Sequence, residues 1–406
     1  MKDVVITGIG FLSPIGNTKS EIWDNLANGH CGIKALPHWS KYSSLQSLVA
    51  GVVRNCDEKS IPRKFRRTMG RVAKLAALAT EQAIRDAELD MSLLSSGRTG
   101  IAMGSTVGSP EVLQKVFVDI EKNNGFDGLE GTLFMKIMSH TVAANTAALF
   151  NISGRVSAMC SACTSSTQSI GHGFELIRNG VQDVMICGGA EELHPSTIGV
   201  FDVLHATSRI YNDKPQLSSR PFDRDRNGLV ISEAAAIVVL EEREFAIKRQ
   251  AKIYGQISGY GCSFDSNHIT QPGIEGMKNC IMLAVQDAGK DIMEMDYINA
   301  HATATKQGDA IEAQAIKKLV ADKVPVSGIK GHTGHTLAAC GALDIICVLM
   351  MMQNDTIIPT LNLENIAEEC KGIQHVQQTI NKRLNAVVSC NFAFGGINAA
   401  IVIEKV

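Results

Sequence analysis

Short β-branched runs alternate with helical patterns along the whole chain, and this alternation limits the fold more than any other feature. Residues 4–9, 99–103, 184–187, 236–240, 297–300, 324–327, 386–390 and 399–403 read as strands. Residues 71–87, 164–177, 277–287, 309–319 and 337–352 read as helices. The strand runs are apolar on both faces, as strands covered by helices on both sides must be. The pattern predicts an α/β fold with buried, largely parallel sheets. No Pro-rich, Ser-rich or charged linker divides the 406 residues, so two halves would have to pack closely. An internal echo hints at such halves. Val156 and Val326, and then Gly171 and Gly341, recur at one offset of 170 residues in strand–loop–helix units. Duplication and coincidence both explain so short a match.

Bulk properties exclude several functions. The net charge of −2 provides no global basic field for nucleic acid or an anionic membrane. The opening apolar run is too short for a signal peptide or a spanning helix, which makes the cytoplasm the expected compartment. The eleven cysteines are scattered singly through apolar runs such as those around Cys187, Cys262, Cys347 and Cys390, as buried thiols in a reducing compartment are. Cys160 and Cys163 form a lone C-x-x-C with no second ligand pair, so neither a metal nor a redox role is expected.

Chemistry concentrates after three strands. Cys163 follows a strand-like run, sits among Ser, Ala and Thr, and opens a helix. A helix start carries free N–H groups and partial positive charge, which favour the thiolate. Cys160 lies earlier in the loop and lacks that position. His301 follows the strand at 297–300 beside Thr303 and Thr305, whose hydroxyls suit a polar ligand. Asp309 and Glu312 then read as the acidic first turn of a helix. Lys330, His332 and His335 crowd a glycine-containing loop, an arrangement that needs an acidic neighbour or an oxyanion. His332 is the member expected to be exposed and uninvolved. The run from Asn391 to Asn398, with Gly395 and Gly396, reads as a hairpin turn whose N–H groups can face a ligand.

Taken in order over the full length, these motifs resemble the β-ketoacyl-[acyl-carrier-protein] synthases of the type II elongating class, within the thiolase-like condensing enzymes. The resemblance rests on the start at Val4–Gly10 with Ser13-Pro14-Ile15-Gly16, on Ser161-Ala162-Cys163-Thr164-Ser165, and on Cys187-Gly188-Gly189-Ala190-Glu191. It extends through Ser219–Gly228, the His301 run, Lys330 with Thr333-Gly334-His335, and Asn391–Asn398. It implies a five-layered αβαβα fold made of two similar halves. Residues 1–250 would carry the nucleophile and 251–406 the catalytic histidines. It implies an acyl group on Cys163, taken from the phosphopantetheine arm of an acyl carrier protein, and no cofactor or metal held by the enzyme. His301 and His335 would assist decarboxylation of the malonyl carrier and hold the enolate oxygen. The N–H groups of Cys163 and Phe394 would form the oxyanion hole. Lys330 would balance charge with Glu312 as its ionic partner, and Asp309 would support the loop. Thr303 and Thr305 would touch the pantetheine, and Phe392 and Phe394 would gate the acyl chain.

Arg63, Lys64, Arg66, Arg67 and Arg71 form a local basic cluster that suits an acidic carrier protein, with Arg209 as a further member; a solvated helix start is the bland alternative. The family usually has Gly at Ala302, Ser or Gly at Ala304, Thr at Ile397, and a Gly-rich stretch where Ser232–Ala236 stands here. These departures imply a specialised paralogue, in fatty-acid synthesis or in a polyene or polyketide system. The expected assembly is a homodimer, or a heterodimer with a chain-length-factor-like partner that lacks the cysteine. A thiolase would use a second cysteine as base, where this chain has histidine. A silent partner subunit would not keep Cys163, His301 and His335 together.

Overall fold

The computed structural model describes residues 1–265 and 271–406. Eleven strands form one continuous sheet. In chain order they are β1 (Val4–Leu12), β2 (Thr99–Gly104), β3 (Val156–Met159), β4 (Val184–Glu191) and β5 (Ala234–Glu242). Then come β6 (Gly255–Phe264), β7 (Tyr297–Asn299), β8 (Pro325–Ser327), β9 (Gln374–His375), β10 (Ala386–Phe392) and β11 (Ile397–Glu404). Their spatial order is β9-β8-β7-β10-β11-β6-β1-β5-β4-β2-β3. Read outward from the β1–β6 pairing, β1–β5 and the corresponding strands β6, β7, β8, β10 and β11 follow one permutation, with the third strand of each set outermost but for the short β9. Val156 lies in β3 and Val326 in β8, the third strand of each set, so the 170-residue echo falls on equivalent places. The chain is two similar halves joined edge to edge.

The sheet is mixed rather than largely parallel. β2, β3 and β4 pair in parallel, as do β7 with β8 and β10. β1, β5, β6 and β11 pair antiparallel. The last strand of each half lies beside the strand before it and runs antiparallel to it.

Among the described residues, six of the helices form the main cover of the sheet: α1 (Arg71–Asp86), α2 (Thr141–Leu149), α3 (Ser165–Arg178), α4 (Ile274–Asp287), α5 (Lys306–Val320) and α6 (Cys340–Gln353). α1 and α2 cover one outer face, and α4 and α5 the other. α3 and α6 pack on each other and reach strands of both halves, completing the five layers. Composition dictates the middle position of α6. Every residue from Cys340 to Met352 is buried, and a helix apolar all round needs cover on every side. Each Leu, Ile or Met so buried contributes about 1.5–3 kcal/mol. α1 is amphipathic instead and presents its alanines to β1, where a Cβ on Gly10 would lie 2.0 Å from the Ala79 carbonyl oxygen. Among the described residues no helix is long and apolar enough to cross a membrane.

Candidate active site

Cys163 lies in a single 3-10 turn, Ala162–Thr164, between β3 and α3. The small residues around it tie this turn together. Thr164 Oγ1 donates to the Ser161 carbonyl (2.8 Å), Ser165 Oγ to the Ala162 carbonyl (2.7 Å), and Ser161 N to Ser165 Oγ (2.9 Å). The thiol is buried. Burial pushes it up to about 11, against the pull of the Phe394 N–H, the Lys330 charge and its own N–H. The resting group is therefore a thiol. The expectation of a thiolate fails because desolvation outweighs the helix start. Cys160 is exposed, and all eleven cysteines are free. Cys262 is exposed too, not buried as its apolar surroundings suggested.

His301 begins the loop after β7, and α5 reaches back to hold that loop. Glu312 accepts from His301 N and Ala302 N, both at 2.7 Å. Asp309 accepts from Ala304 N (3.0 Å) and Phe222 N (2.7 Å). Burial raises Glu312 to about 8 and Asp309 to about 6 in spite of these bonds. Ala302 and Ala304 have φ of 40° and 66°, left-handed values that glycine adopts without strain. The two carboxylates hold the loop in that conformation. Thr305 caps α5 by accepting from Gly308 N, and its Oγ1 lies 3.0 Å from that of Thr303.

Lys330 and His335 come from the loop after β8. Lys330 pairs with Asp344 of α6, Nζ to Oδ2 at 3.1 Å, both groups buried. Burial opposes the ammonium, yet the Asp344 carboxylate holds Lys330 above its ordinary value. This corrects the expected ion pair with Glu312, which is committed to the His301 loop. Asp344 is a functional residue that sequence reasoning missed. The signal was there: one acid inside an otherwise apolar helix needs a buried partner. His332 is buried rather than exposed, with Nδ1 3.1 Å from the His30 carbonyl oxygen.

The loops converge on one thiol and two imidazoles. His335 Nε2 is 3.0 Å from Cys163 Sγ. The His301 and His335 rings lie 5.1 Å apart at 85°. Burial, then the Lys330 charge, holds both well below the ordinary histidine value, so both are neutral. Among the described residues His301 Nε2 is buried with no hydrogen-bond partner. The donor atoms of Cys163, His301 and His335 lie within 4.8 Å of one another, as do those of His301, Cys340 and Asp344. The second set is already engaged by Lys330 and by Asn391, another residue whose part sequence reasoning missed.

A cavity of about 590 Å³ opens onto these groups, lined also by Thr303, Thr305, Phe392 and Phe394. Residues 393–396 form the turn of the β10–β11 hairpin, with Ala393 N donating to the Ile397 carbonyl at 2.7 Å. Gly395 and Gly396 there have φ of 106° and 80°. Phe392 is buried against His301, whereas Phe394 is exposed and meets Phe201 edge-on at 5.9 Å.

The basic cluster divides. Arg63, Lys64 and Arg67 are exposed on and just after the short helix Arg63–Arg66. Arg66 is half-buried and donates to the Glu58 carbonyl. Arg71 is bound by Glu58 and Glu233, both at 2.7 Å, and Arg209 by Asp202 at 3.0 Å. Those last two charges are structurally occupied.

Known proteins match this chain along its whole length. Residues 1–246 match the family model "Beta-ketoacyl synthase, N-terminal domain", and 254–364 match "Beta-ketoacyl synthase, C-terminal domain". The 3-oxoacyl-[acyl-carrier-protein] synthase 1 of Haemophilus influenzae is 38% identical over 407 residues, covering 100% of this chain and 99% of that one. The crystal structure of a beta-ketoacyl synthase from Burkholderia phymatum superposes with a TM-score of 0.97 at 38% identity, with 100% of each chain covered. The ishigamide ketosynthase/chain length factor superposes at 0.93 with 27% identity, covering 100% of this chain and 99% of that one.

Proposed function

This chain belongs to the β-ketoacyl synthase family, and we propose that it joins an acyl group held on Cys163 to a malonyl unit delivered by an acyl carrier protein. Cys163 Sγ attacks the carbonyl of the incoming acyl thioester. The N–H groups of Cys163 and Phe394 hold the oxyanion. The carbon–sulfur bond to phosphopantetheine breaks, and the thiol proton leaves with the pantetheine sulfur. The malonyl thioester then loses CO₂. His301 and His335 donate from Nε2 to the enolate oxygen, which a carboxylate at either place would repel. The enolate carbon attacks the acyl carbonyl, a carbon–carbon bond forms, and Cys163 leaves as a thiolate that regains a proton from water.

The observation that carries this reading is the convergence of the buried Cys163 thiol with the His301 and His335 imidazoles on one cavity, His335 Nε2 lying 3.0 Å from the sulfur. Lys330 stabilises negative charge in the pocket from behind, held by Asp344. Thr303 and Thr305 face the pantetheine arm, and Phe392 with Phe394 gates the acyl chain. Residues 1–250 serve as the nucleophile-bearing half and 251–406 as the histidine-bearing half. The protein itself binds no cofactor in this scheme. Exposed Arg63, Lys64 and Arg67 receive the acidic carrier. Cytoplasmic placement accords with carrier-borne substrates.

The same site serves fatty-acid or polyketide assembly. An exposed Val156 on the edge strand β3 favours a paired assembly, either with a second copy or with a chain-length-factor-like partner. Supplying acyl-carrier and malonyl-carrier protein tests the function. A β-ketoacyl carrier product with one CO₂ released per bond formed is expected; no product from any acyl length overturns it.

A further inference from the structure

The carboxamide of Asn391 is fully buried between α3, α6 and the His301 loop. Its Oδ1 lies 2.6 Å from Thr167 Oγ1. Its Nδ2 lies 3.0 Å from Asp344 Oδ2, 3.3 Å from His301 Nδ1 and 3.6 Å from Cys340 Sγ. The Asp344 carboxylate fixes which end is which, since only an NH₂ can face it and the oxygen then takes the Thr167 hydroxyl. The second Nδ2 hydrogen faces His301 Nδ1, the nearer and stronger acceptor, with Cys340 Sγ the more distant and weaker one. A donor at Nδ1 requires a lone pair there, and a neutral imidazole then carries its single proton on Nε2. That is the buried nitrogen with no hydrogen-bond partner among the described residues, on the residue that lines the cavity. Space has been kept for this arrangement: a Cβ on Gly341 would fall 1.9 Å from Thr167 Oγ1 and 2.8 Å from Asn391 Oδ1.

We propose that Asn391 is a positioning residue that locks His301 in the Nε2–H tautomer, so that His301 presents a hydrogen-bond donor to the enolate oxygen. The chain runs from Lys330 through Asp344 and Asn391 to His301. Lys330 thereby helps to orient His301 by holding the carboxylate that orients the amide. The inference rests on the decarboxylating role given to His301 above. It assigns to Asn391 the part that a carbonyl or carboxylate plays in fixing other functional histidines, with the opposite tautomer as the result.

Two measurements test it. Long-range ¹H–¹⁵N spectra of the full-length protein labelled at histidine, with His301 assigned by loss of its signals in His301→Gln, report the tautomer directly. The proposal expects Nε2–H in the wild type and a mixture in Asn391→Ala. An Nδ1–H signature in the wild type overturns it, whatever any variant does. In parallel, Asn391→Ala and Asn391→Ser are expected to load Cys163 within twofold of the wild-type rate while malonyl decarboxylation falls tenfold or more. Equal loss of both rates in both variants means a packing role and overturns the proposal. Undiminished decarboxylation in His301→Ala instead removes the role of His301 itself, which the tautomer measurement leaves untouched.

Discussion

The Sγ of Cys163 lies 3.0 Å from Nε2 of His335, with both residues buried at the inner end of the cavity. Burial holds the sulfur as a thiol and the imidazole neutral. Cys163 and His335 therefore form no ion pair with each other at rest, and the charged pair of the site is Lys330 with Asp344. In the proposed reaction, charge appears only when substrate arrives, and the Cys163 and Phe394 N–H groups with the two histidines would meet it.

The two half-reactions should separate in the histidine variants. His335→Ala and His301→Ala are expected to accept an acyl group on Cys163 yet lose roughly 10²–10³ in condensation rate, the scale of losing one preorganised oxyanion donor. Adduct mass and product formation, measured on one preparation, check this. Full condensation by either variant removes that histidine's role.

Glu312 should resist an isosteric change. Its two oxygens each accept a backbone N–H at 2.7 Å. In Glu312→Gln an NH₂ group faces one of those N–H groups and leaves a buried donor unpaired, which costs about 1–3 kcal/mol. Thermal melts should show a lower midpoint, and condensation should fall with the displaced His301. An unchanged melt and rate would mean that the loop holds without this anchor.

His332 provides a pH test away from the chemistry. Its folded value is depressed from the ordinary 6.5 to about 4, chiefly by burial. A depressed group stabilises the fold above its unfolded value and loses that contribution as pH falls toward its folded value. Wild type compared with His332→Asn should therefore lose about 2 kcal/mol of its relative stability between pH 7 and pH 5. The difference between the two proteins cancels the carboxylates they share. A constant difference across that range contradicts the assignment.

The exposed basic residues should behave as a docking patch. Reversing charge at Arg63, Lys64 and Arg67 is expected to weaken carrier-protein binding by roughly tenfold at low ionic strength, and less in high salt. Arg209→Glu should act differently, through loss of its bond to Asp202 and hence of stability. Binding that ignores the triple reversal at low salt would mark the patch as a solvated face.

Much of this was legible in the sequence. The apolar β-branched runs became strands, and the apolar stretch around 337–352 became the middle-layer helix α6 because both signals come from burial itself. β6 was not legible. Gly255, Gly259 and Gly261 weaken its strand signature, yet a Cβ on Gly259 or Gly261 would lie 2.1 or 2.3 Å from backbone oxygens of α4. Close helix packing demanded the residues that hide the strand. Cys163, His301 and His335 stood out because each follows a strand. The Lys330–Asp344 pair did not, since 14 residues and a change of element separate the partners. The thiolate was expected from the helix start, which says nothing of the depth at which the sulfur lies.

The most direct test is the mass of the Cys163 peptide after incubation with an acyl-carrier protein alone. The account predicts one acyl adduct on Cys163, discharged as β-ketoacyl product when malonyl-carrier protein is added. Cys163→Ala should form no adduct, retain malonyl decarboxylation and lose condensation by about 10⁴-fold or more. An adduct on Cys160 or Cys340 instead, or normal condensation by Cys163→Ala, would contradict it.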